Sequence, residues 1–583
     1  MSDPAKLTEL VEKDRMRETI RWLTTQTPYR LAGSPCCKKA ADYVCERMRA
    51  MGLEVQEDEF FTYNSQPLQA DFTLLEPVRR HYTSLPCAHI RSTKPQGEEF
   101  EVVYVGDGAY ERYRNVDVSG KLVLVEVSYA PPVPEKARIA SEMGAAGIIC
   151  MNWGNDEGVI CNRGLKGVWG NPTPETVGKI PDLIGIGITR TDGLELKQLC
   201  ESGQTVRVRV TAVSTREWSK VQQPMGILRG NGTRRGFVLV CSHLDAWQPG
   251  VTCNATGNAT TLEICRILSE NRQRLDRDVY FVFWNGHEIA EAAGSTWFVD
   301  QYWSLLEQEC VMYIHIDSTG VRETELFEIK ASEELLGFAQ KNAGEILPGL
   351  ELRSMALKKI GDQSFMGIGV PSVTQRMSFT KEYMEKAHGA TLGWWNHTSE
   401  DGLDKCSYEI LEQDTKATLA IIESMCCVPV LPYQFDSKFS SLQQTLDSME
   451  ERYSGRLDLK GLKDHLRQAA QSVEKIQRME YTEAWEEEYN RFVVGLCRKL
   501  TNVFQTYADK YQQDSYGYSK LSSPIPLLAD LPLLEQYPED SMEYGLVLTQ
   551  LIKNRNRIDD ALLQICESAR VFQKMYAMDH RDQ

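Results

Sequence analysis

The sequence predicts an α/β protein: a largely parallel sheet covered by helices, interrupted by a smaller α/β insert and followed by a helical region. Three observations carry this expectation. The apolar runs Gly236-Phe-Val-Leu-Val-Cys-Ser, Asp278-Val-Tyr-Phe-Val-Phe-Trp and Cys310-Val-Met-Tyr-Ile-His-Ile read as strands covered on both faces. Amphipathic segments separate these runs, as crossover helices of a parallel sheet do. Past Leu431-Pro432 the apolar residues fall three and four apart, the helical period.

In chain order, an opening helical pattern ends at the glycine turn Tyr29-Arg-Leu-Ala-Gly33-Ser-Pro. A second helix is predicted over Ala40 to Met51 with Gly52 as its C-terminal stop, followed by alternating stretches suited to strands. From about residue 98 the character changes. Val118-Ser-Gly-Lys-Leu-Val-Leu-Val-Glu-Val is a glycine turn feeding a buried strand, and Lys136 to Cys150 reads as a helix broken at Gly144 with a short strand after it. The expected division is therefore 1–97 with 216–430 as the main α/β domain, 98–215 as an inserted domain, and 431–583 as a helical domain. In the last part, Leu442, Leu446, Met449 and Tyr453 set a rhythm. Leu459, Leu462, Leu466, Ala469, Val473 and Ile476 continue it, as do Leu551, Ile558, Leu562, Ile565 and Phe572. A proline-rich connector near 515–540 divides these helices. Such stripes serve either packing within the chain or a dimer interface.

The 583 residues exceed what one core supports, so several domains are expected. A net charge of −17 argues against nucleic acid and anionic membranes as partners. No eighteen-residue apolar run exists to span a bilayer, and Met1-Ser-Asp-Pro leads into an amphipathic stretch, so a cytoplasmic setting is expected. The 16 cysteines are not disulfide density at this length; most read as buried thiols.

Chemistry concentrates where the apolar runs stop. Only nine histidines occur, and four lie in segments of the α/β part. These are Ser242-His243-Leu-Asp245-Ala-Trp247 with Cys253-Asn254, Gly286-His287-Glu288 with Glu291, His315-Ile-Asp317, and Trp394-Trp395-Asn-His397-Thr-Ser-Glu400-Asp401. Sites in open α/β sheets gather at the carboxyl ends of strands. Imidazole, thiolate and carboxylate together suit zinc better than magnesium or calcium. No serine-hydrolase elbow, phosphate loop or dinucleotide fingerprint appears.

These segments, in this order, resemble the zinc peptidases of metallopeptidase family 28, which includes aminopeptidases, glutamate carboxypeptidase and the transferrin receptor. The likeness extends to the opening Arg30-Leu-Ala-Gly-Ser, to an inserted protease-associated domain with Ser119-Gly-Lys and Gly144-Ala-Ala-Gly, and to a C-terminal dimerisation domain. The resemblance implies a mixed hydrolase-like sheet and one or two zinc ions. It makes His243 and Asp317 first-metal ligands, Asp245 the carboxylate orienting His243, and Glu288 and His397 second-metal ligands. It also places Asp362 where substrate is contacted and implies a homodimer through the C-terminal helices.

Two positions depart from that pattern. Cys253 stands where the family has a bridging aspartate, and His287 where it has the glutamate general base. Glu291 is a substitute candidate for either role, because the Glu288-to-Gly294 stretch is one residue longer than the family's usual glutamate-to-glycine stretch. A thiolate offers one donor atom, so a single metal on His243, Cys253 and Asp317 is as reasonable as two. Glu400-Asp401 reads either as support for His397 or as a solvated pair, and Trp247 and Trp395 as an aromatic wall. The expected function is zinc-dependent hydrolysis of an amide or peptide bond in a small substrate, with His287 or Glu288 handling the proton. The alternatives are a retired, transferrin-receptor-like binding protein and a thiol enzyme using Cys253.

Overall fold

The computed structural model describes residues 5–155, 158–515 and 519–579. The first four residues, on which the cytoplasmic expectation leans, and residues 516–518 of the proline-rich connector lie outside them.

An eight-stranded mixed sheet organises the α/β part. Its order is Glu54–Asn64, Glu217–Leu228, Asp278–Trp284, Phe237–His243, Cys310–His315, Ser372–Ser378, Leu326–Ala331 and Leu352–Ala356. The four central strands, Asp278–Trp284 to Ser372–Ser378, run parallel, whereas their outer neighbours pair with them antiparallel. The sheet is thus parallel at its centre and in the outer pair Leu326–Ala331 with Leu352–Ala356, and antiparallel elsewhere. The continuous apolar runs are three of these four strands, buried along nearly their whole length, whereas Ser372–Ser378 carries none. The edge strand Glu54–Asn64 is largely open to solvent and carries no such run.

Alternation sorts the central side chains into two layers. Val238, Val240, Phe281 and Ile314 join one core with Ile264 and Leu419, from the helices Thr256–Glu270 and Tyr408–Cys427. Leu239, Val282, Trp284 and Tyr313 pack on the other face with Phe298 of the helix Ala293–Gln301. Because the central strands are parallel, His243, Trp284 and His315 finish at the same edge, and the loops beyond them build one site.

A second eight-stranded sheet belongs to the insert. It contains Glu98–Tyr104, Leu122–Glu126, Gly147–Met151, Ile184–Ile188 and Arg207–Ser214. It also draws in Pro67–Glu76, Arg80–Tyr82 and Ser84–Pro86, ahead of the boundary expected at residue 98. The physical reason is the antiparallel pairing of Pro67–Glu76 with Arg207–Ser214, which buries Phe72 and Leu74 in the insert's core. The helix expected after Lys136 spans Val133–Glu142 and stops before Gly144, whose φ of +83° suits glycine.

The C-terminal helices are Asp436–Tyr453, Lys460–Gln477, Glu483–Phe504 and Met542–Asp579. The apolar stripe read from sequence packs inside the chain: Leu446, Leu466, Val473, Leu551, Ile558 and Leu562 join the core that also holds Val240 and Ile264. Polar anchors fix these helices on the α/β part. Arg498 donates to the carbonyls of Glu307, Gly369, Leu306 and Cys310, and Lys438 meets Glu334 at 3.0 Å with both side chains buried.

Candidate active site

Cys253 lies in an irregular turn leading into the helix Thr256–Glu270. Its sulfur sits 3.7 Å from His243 Nε2, 3.6 Å from Glu288 Oε1 and 3.5 Å from His397 Nε2. Asp317 Oδ1 lies 3.3 Å from His243 Nε2, and Glu288 Oε2 lies 3.2 Å from His397 Nε2. The structure therefore gathers the four residues that the resemblance assigns to metal around Cys253. One donor atom each from His243, Cys253 and Glu288 falls within 4.8 Å of the others.

This donor set fits a zinc ion. With bonds of about 2.0–2.3 Å at tetrahedral angles, sulfur and nitrogen ligands stand about 3.6 Å apart. The contacts of Cys253 with His243 and Glu288 match that separation. His243 is also oriented as a ligand, because its Nδ1–H faces the Asp245 carbonyl oxygen at 2.9 Å and leaves Nε2 free.

Asp245 acts differently from the implied role. Its carboxylate is 4.0 Å from His243 Nδ1, and the main-chain carbonyl orients the ring instead. The carboxylate accepts the backbone N–H groups of His287 (3.1 Å) and Glu288 (3.0 Å), so it positions the opposite loop. Burial pushes the Asp245 carboxyl above its ordinary range despite these bonds.

His287 stacks on His243 with ring centroids 4.0 Å apart. Its Nδ1 donates to Asp362 Oδ2 at 2.9 Å. Burial alone would lower the pKa of His287, but the Asp362, Glu288 and Asp245 carboxylates override it and raise it well above the ordinary value. Asp362 is fully buried and also accepts from Ser295 Oγ at 2.9 Å. It holds His287 from behind and cannot meet a substrate amine or amide, which corrects the substrate-contact expectation. The cause is the packing of the 361–371 turn under the His287 loop.

The aromatic wall is also half corrected. Trp247 lines the cavity beside the cluster, with its ring 6.4 Å from that of His397. Trp395 is buried against Val321 and Phe379 and donates Nε1–H to Thr252 Oγ1, so it is core. Asp401 does not tune His397. It accepts from Thr252 N, Thr252 Oγ1 and Cys253 N and so shapes the cysteine turn, while Glu400 is exposed. Glu291 lines the cavity, with Lys166 and Lys359 as its cationic neighbours; burial pushes its pKa up to about 7.

Two supporting residues, Arg30 and Arg163, are not among the expected site residues. Arg30 is buried and donates to the carbonyls of Leu244, Pro249 and Gly250, pinning the loop between His243 and Cys253. Arg163, from the insert, places Nη1 3.1 Å from His397 Nδ1. Its neighbour Asn162 donates twice to the His397 carbonyl, which steadies a φ of +61° there.

The cluster floors a cavity of about 880 Å³. Its walls come from the insert (Tyr129, Pro131, Trp169), the sheet and the C-terminal part (Leu521). Basic side chains, among them Arg376, Lys358 and Lys359, line one side. The Cys253 thiol itself is not activated: burial, then Glu288 and Asp317, push its pKa well above the ordinary value. A nucleophilic cysteine needs the opposite field.

Residues 225–422 match Peptidase family M28, and residues 96–196 match the PA domain. Aminopeptidase YwaD of Bacillus subtilis is 24% identical over 426 residues, covering 70% of this chain and 84% of that protein. A peptidase M28 precursor from Shewanella amazonensis has a similar structure, with TM-score 0.61, 17% identity, and coverage of 73% of this chain and 97% of that one. A zinc aminopeptidase from Bacillus subtilis superposes with TM-score 0.55 at 21% identity, covering 71% of this chain and 95% of that one.

Proposed function

Since this chain belongs to peptidase family M28, we propose that it is a zinc-dependent hydrolase of an amide or peptide bond in a small peptide or amide metabolite, aminopeptidase-like in its chemistry. One observation carries this reading: an imidazole–thiol–carboxylate donor set of zinc dimensions at the floor of an 880 Å³ cavity, with His287 held against it by the buried Asp362.

When bound, zinc supplies Lewis acidity at the scissile carbonyl. The rest of the chemistry falls to the chain. His287 takes the proton of the attacking water on Nε2 and returns it to the departing nitrogen. Asp362 holds the ring and fixes Nδ1 as the protonated nitrogen. Asp245 keeps the His287–Glu288 backbone in place. The basic side of the cavity supports a substrate with an anionic end, and the size of the cavity favours a short one.

The test is turnover of a panel of dipeptides and amino-acid amides by zinc-loaded protein. The expected result is hydrolysis that a chelator abolishes and that Cys253→Ser greatly weakens. Zinc bound without turnover on any panel member would replace this reading with that of a binding protein, and turnover that survives chelation would replace it with a thiol mechanism. Homodimerisation through the C-terminal helices belongs to the same proposal; exposed Met542, Leu546, Val571 and Met575 on the last helix support it, and sedimentation measures it.

A further inference from the structure

We infer that the cluster holds one metal ion, on His243, Cys253 and Glu288, and that Arg163 of the inserted domain stands in for a second cation by fixing His397 as a hydrogen-bond donor. This rests on the metal-dependent reading above, which leaves the number of ions open.

The two imidazoles on either side of Cys253 face opposite kinds of partner. His243 Nδ1 meets a carbonyl oxygen, which only accepts, so the ring hydrogen sits there and Nε2 presents a lone pair to the cluster. His397 Nδ1 meets Arg163 Nη1 at 3.1 Å, and a guanidinium only donates. That nitrogen is therefore the acceptor, and the neutral ring carries its hydrogen on Nε2. Nε2 points at Glu288 Oε2 (3.2 Å) and Cys253 Sγ (3.5 Å), both of which can accept. A ring nitrogen that bears hydrogen has no lone pair for a metal. Ligating histidines donate their outer N–H to an acceptor, as His243 does and His397 does not.

Arg163 is held firmly in this place. It is 8% exposed, and its guanidinium lies 4.7 Å from the Trp153 ring and 5.7 Å from the Tyr129 ring. Among the described residues no carboxylate forms an ion pair with it. A buried cation must be balanced, and the anionic cluster beyond His397 is what balances it. The same segment grips the His397 loop, since Cys161 Sγ donates to Asn396 O and Asn162 donates twice to His397 O. Turning the His397 ring would break its Arg163 contact, and the bonds of Cys161 and Asn162 to the loop's carbonyls keep the backbone from carrying the ring elsewhere.

The donor spacing agrees. The mutually close donors are His243, Cys253 and Glu288, one from each side of the sulfur rather than two separate pairs. A single ion placed among them satisfies a thiolate that has only one atom to give.

The experiment is metal content per chain by elemental mass spectrometry after zinc loading, paired with the thiolate-to-cobalt charge-transfer band of the cobalt-substituted protein. The expected result is one ion in the wild type, one ion with the band intact in both His397→Ala and His397→Asn, and loss of ion and band in His243→Ala. Arg163→Met, which removes the donor and leaves Nδ1 free to carry hydrogen, should raise uptake above one ion. Two ions in the wild type with one lost in both His397 variants would overturn this inference and leave the metal-dependent reading standing. Arg163→Met remaining at one ion would overturn the role given to Arg163. No ion in the loaded wild type would overturn both readings.

Discussion

Replacing Asp362 with Asn keeps the shape of a fully buried side chain and removes only its charge. In the native protein this carboxylate accepts from His287 Nδ1 and Ser295 Oγ, each at 2.9 Å. A hydrogen bond to a charged partner contributes about 1.5–3 kcal/mol against about 0.5–1.5 for a neutral one, so losing the charge alone costs about 1–1.5 kcal/mol, or about tenfold in rate. A larger loss follows if the amide NH2 turns toward His287. It would then donate to Nδ1, drive the hydrogen onto Nε2 and remove the acceptor that the attacking water needs. Loss of general acid–base catalysis is a reduction of about 10²–10⁴-fold. The assay is steady-state turnover of whichever amide the panel identifies, at fixed zinc occupancy. Asp362 is buried behind His287 and outside the cavity wall, so kcat should fall while KM changes little. A fall in kcat of less than about threefold, with zinc content unchanged, would refute the role given to the His287–Asp362 pair.

Two further outcomes test how the site is supported. Lys438→Met should destabilise the protein by about 3–5 kcal/mol by stranding the buried Glu334 carboxylate, and adding Glu334→Leu should recover most of that loss in the denaturant midpoint. Burial pushes Asp414 from an ordinary 3.8 up to about 7. The folded protein therefore binds this proton more tightly than the unfolded chain does, and the resulting stability is full below 3.8 and is lost as the pH rises to about 7. The urea midpoint of the wild type relative to Asp414→Asn should fall across that window, and a constant difference would refute the assignment.

What the sequence could disclose follows from how each feature is encoded. The central strands announce themselves because burial on both faces demands unbroken apolar runs, and the residues just past their ends, His243, the His287–Glu288 pair and Asp317, are thereby located. The antiparallel edge strands carry no such demand, so the sheet reads as more parallel than it is. The insert begins earlier than its change of character suggests, because Pro67–Glu76 is recruited by pairing across 130-odd residues that no local pattern records. Asp362 and Asp401 are legible as polar loop residues but not in their roles, because which way a buried carboxylate faces is settled by tertiary packing. Arg163 is the extreme case: its effect on His397 exists only after the insert docks.

The departures at 253 and 287 make sense as one electrostatic change. Around the sulfur the anions are Asp245, Glu288, the half-buried Asp317 and the cysteine once a metal has deprotonated it, with Asp362 behind His287. Uncompensated burial of such charge is prohibitive, so cations must match it. A glutamate at position 287 would add another anion and call for more cationic charge. A neutral histidine, its hydrogen held on Nδ1 by Asp362, adds none, Arg163 supplies a fixed positive charge on the far side of His397, and Arg376 stands 3.7 Å from Asp317. On the one-ion inference drawn above, a single dication then meets most of the remaining negative charge. On this view Cys253 and His287 are not marks of a decaying site. They are the residues expected when a protein cation replaces a metal cation, because a thiolate needs only one ion and an imidazole needs none.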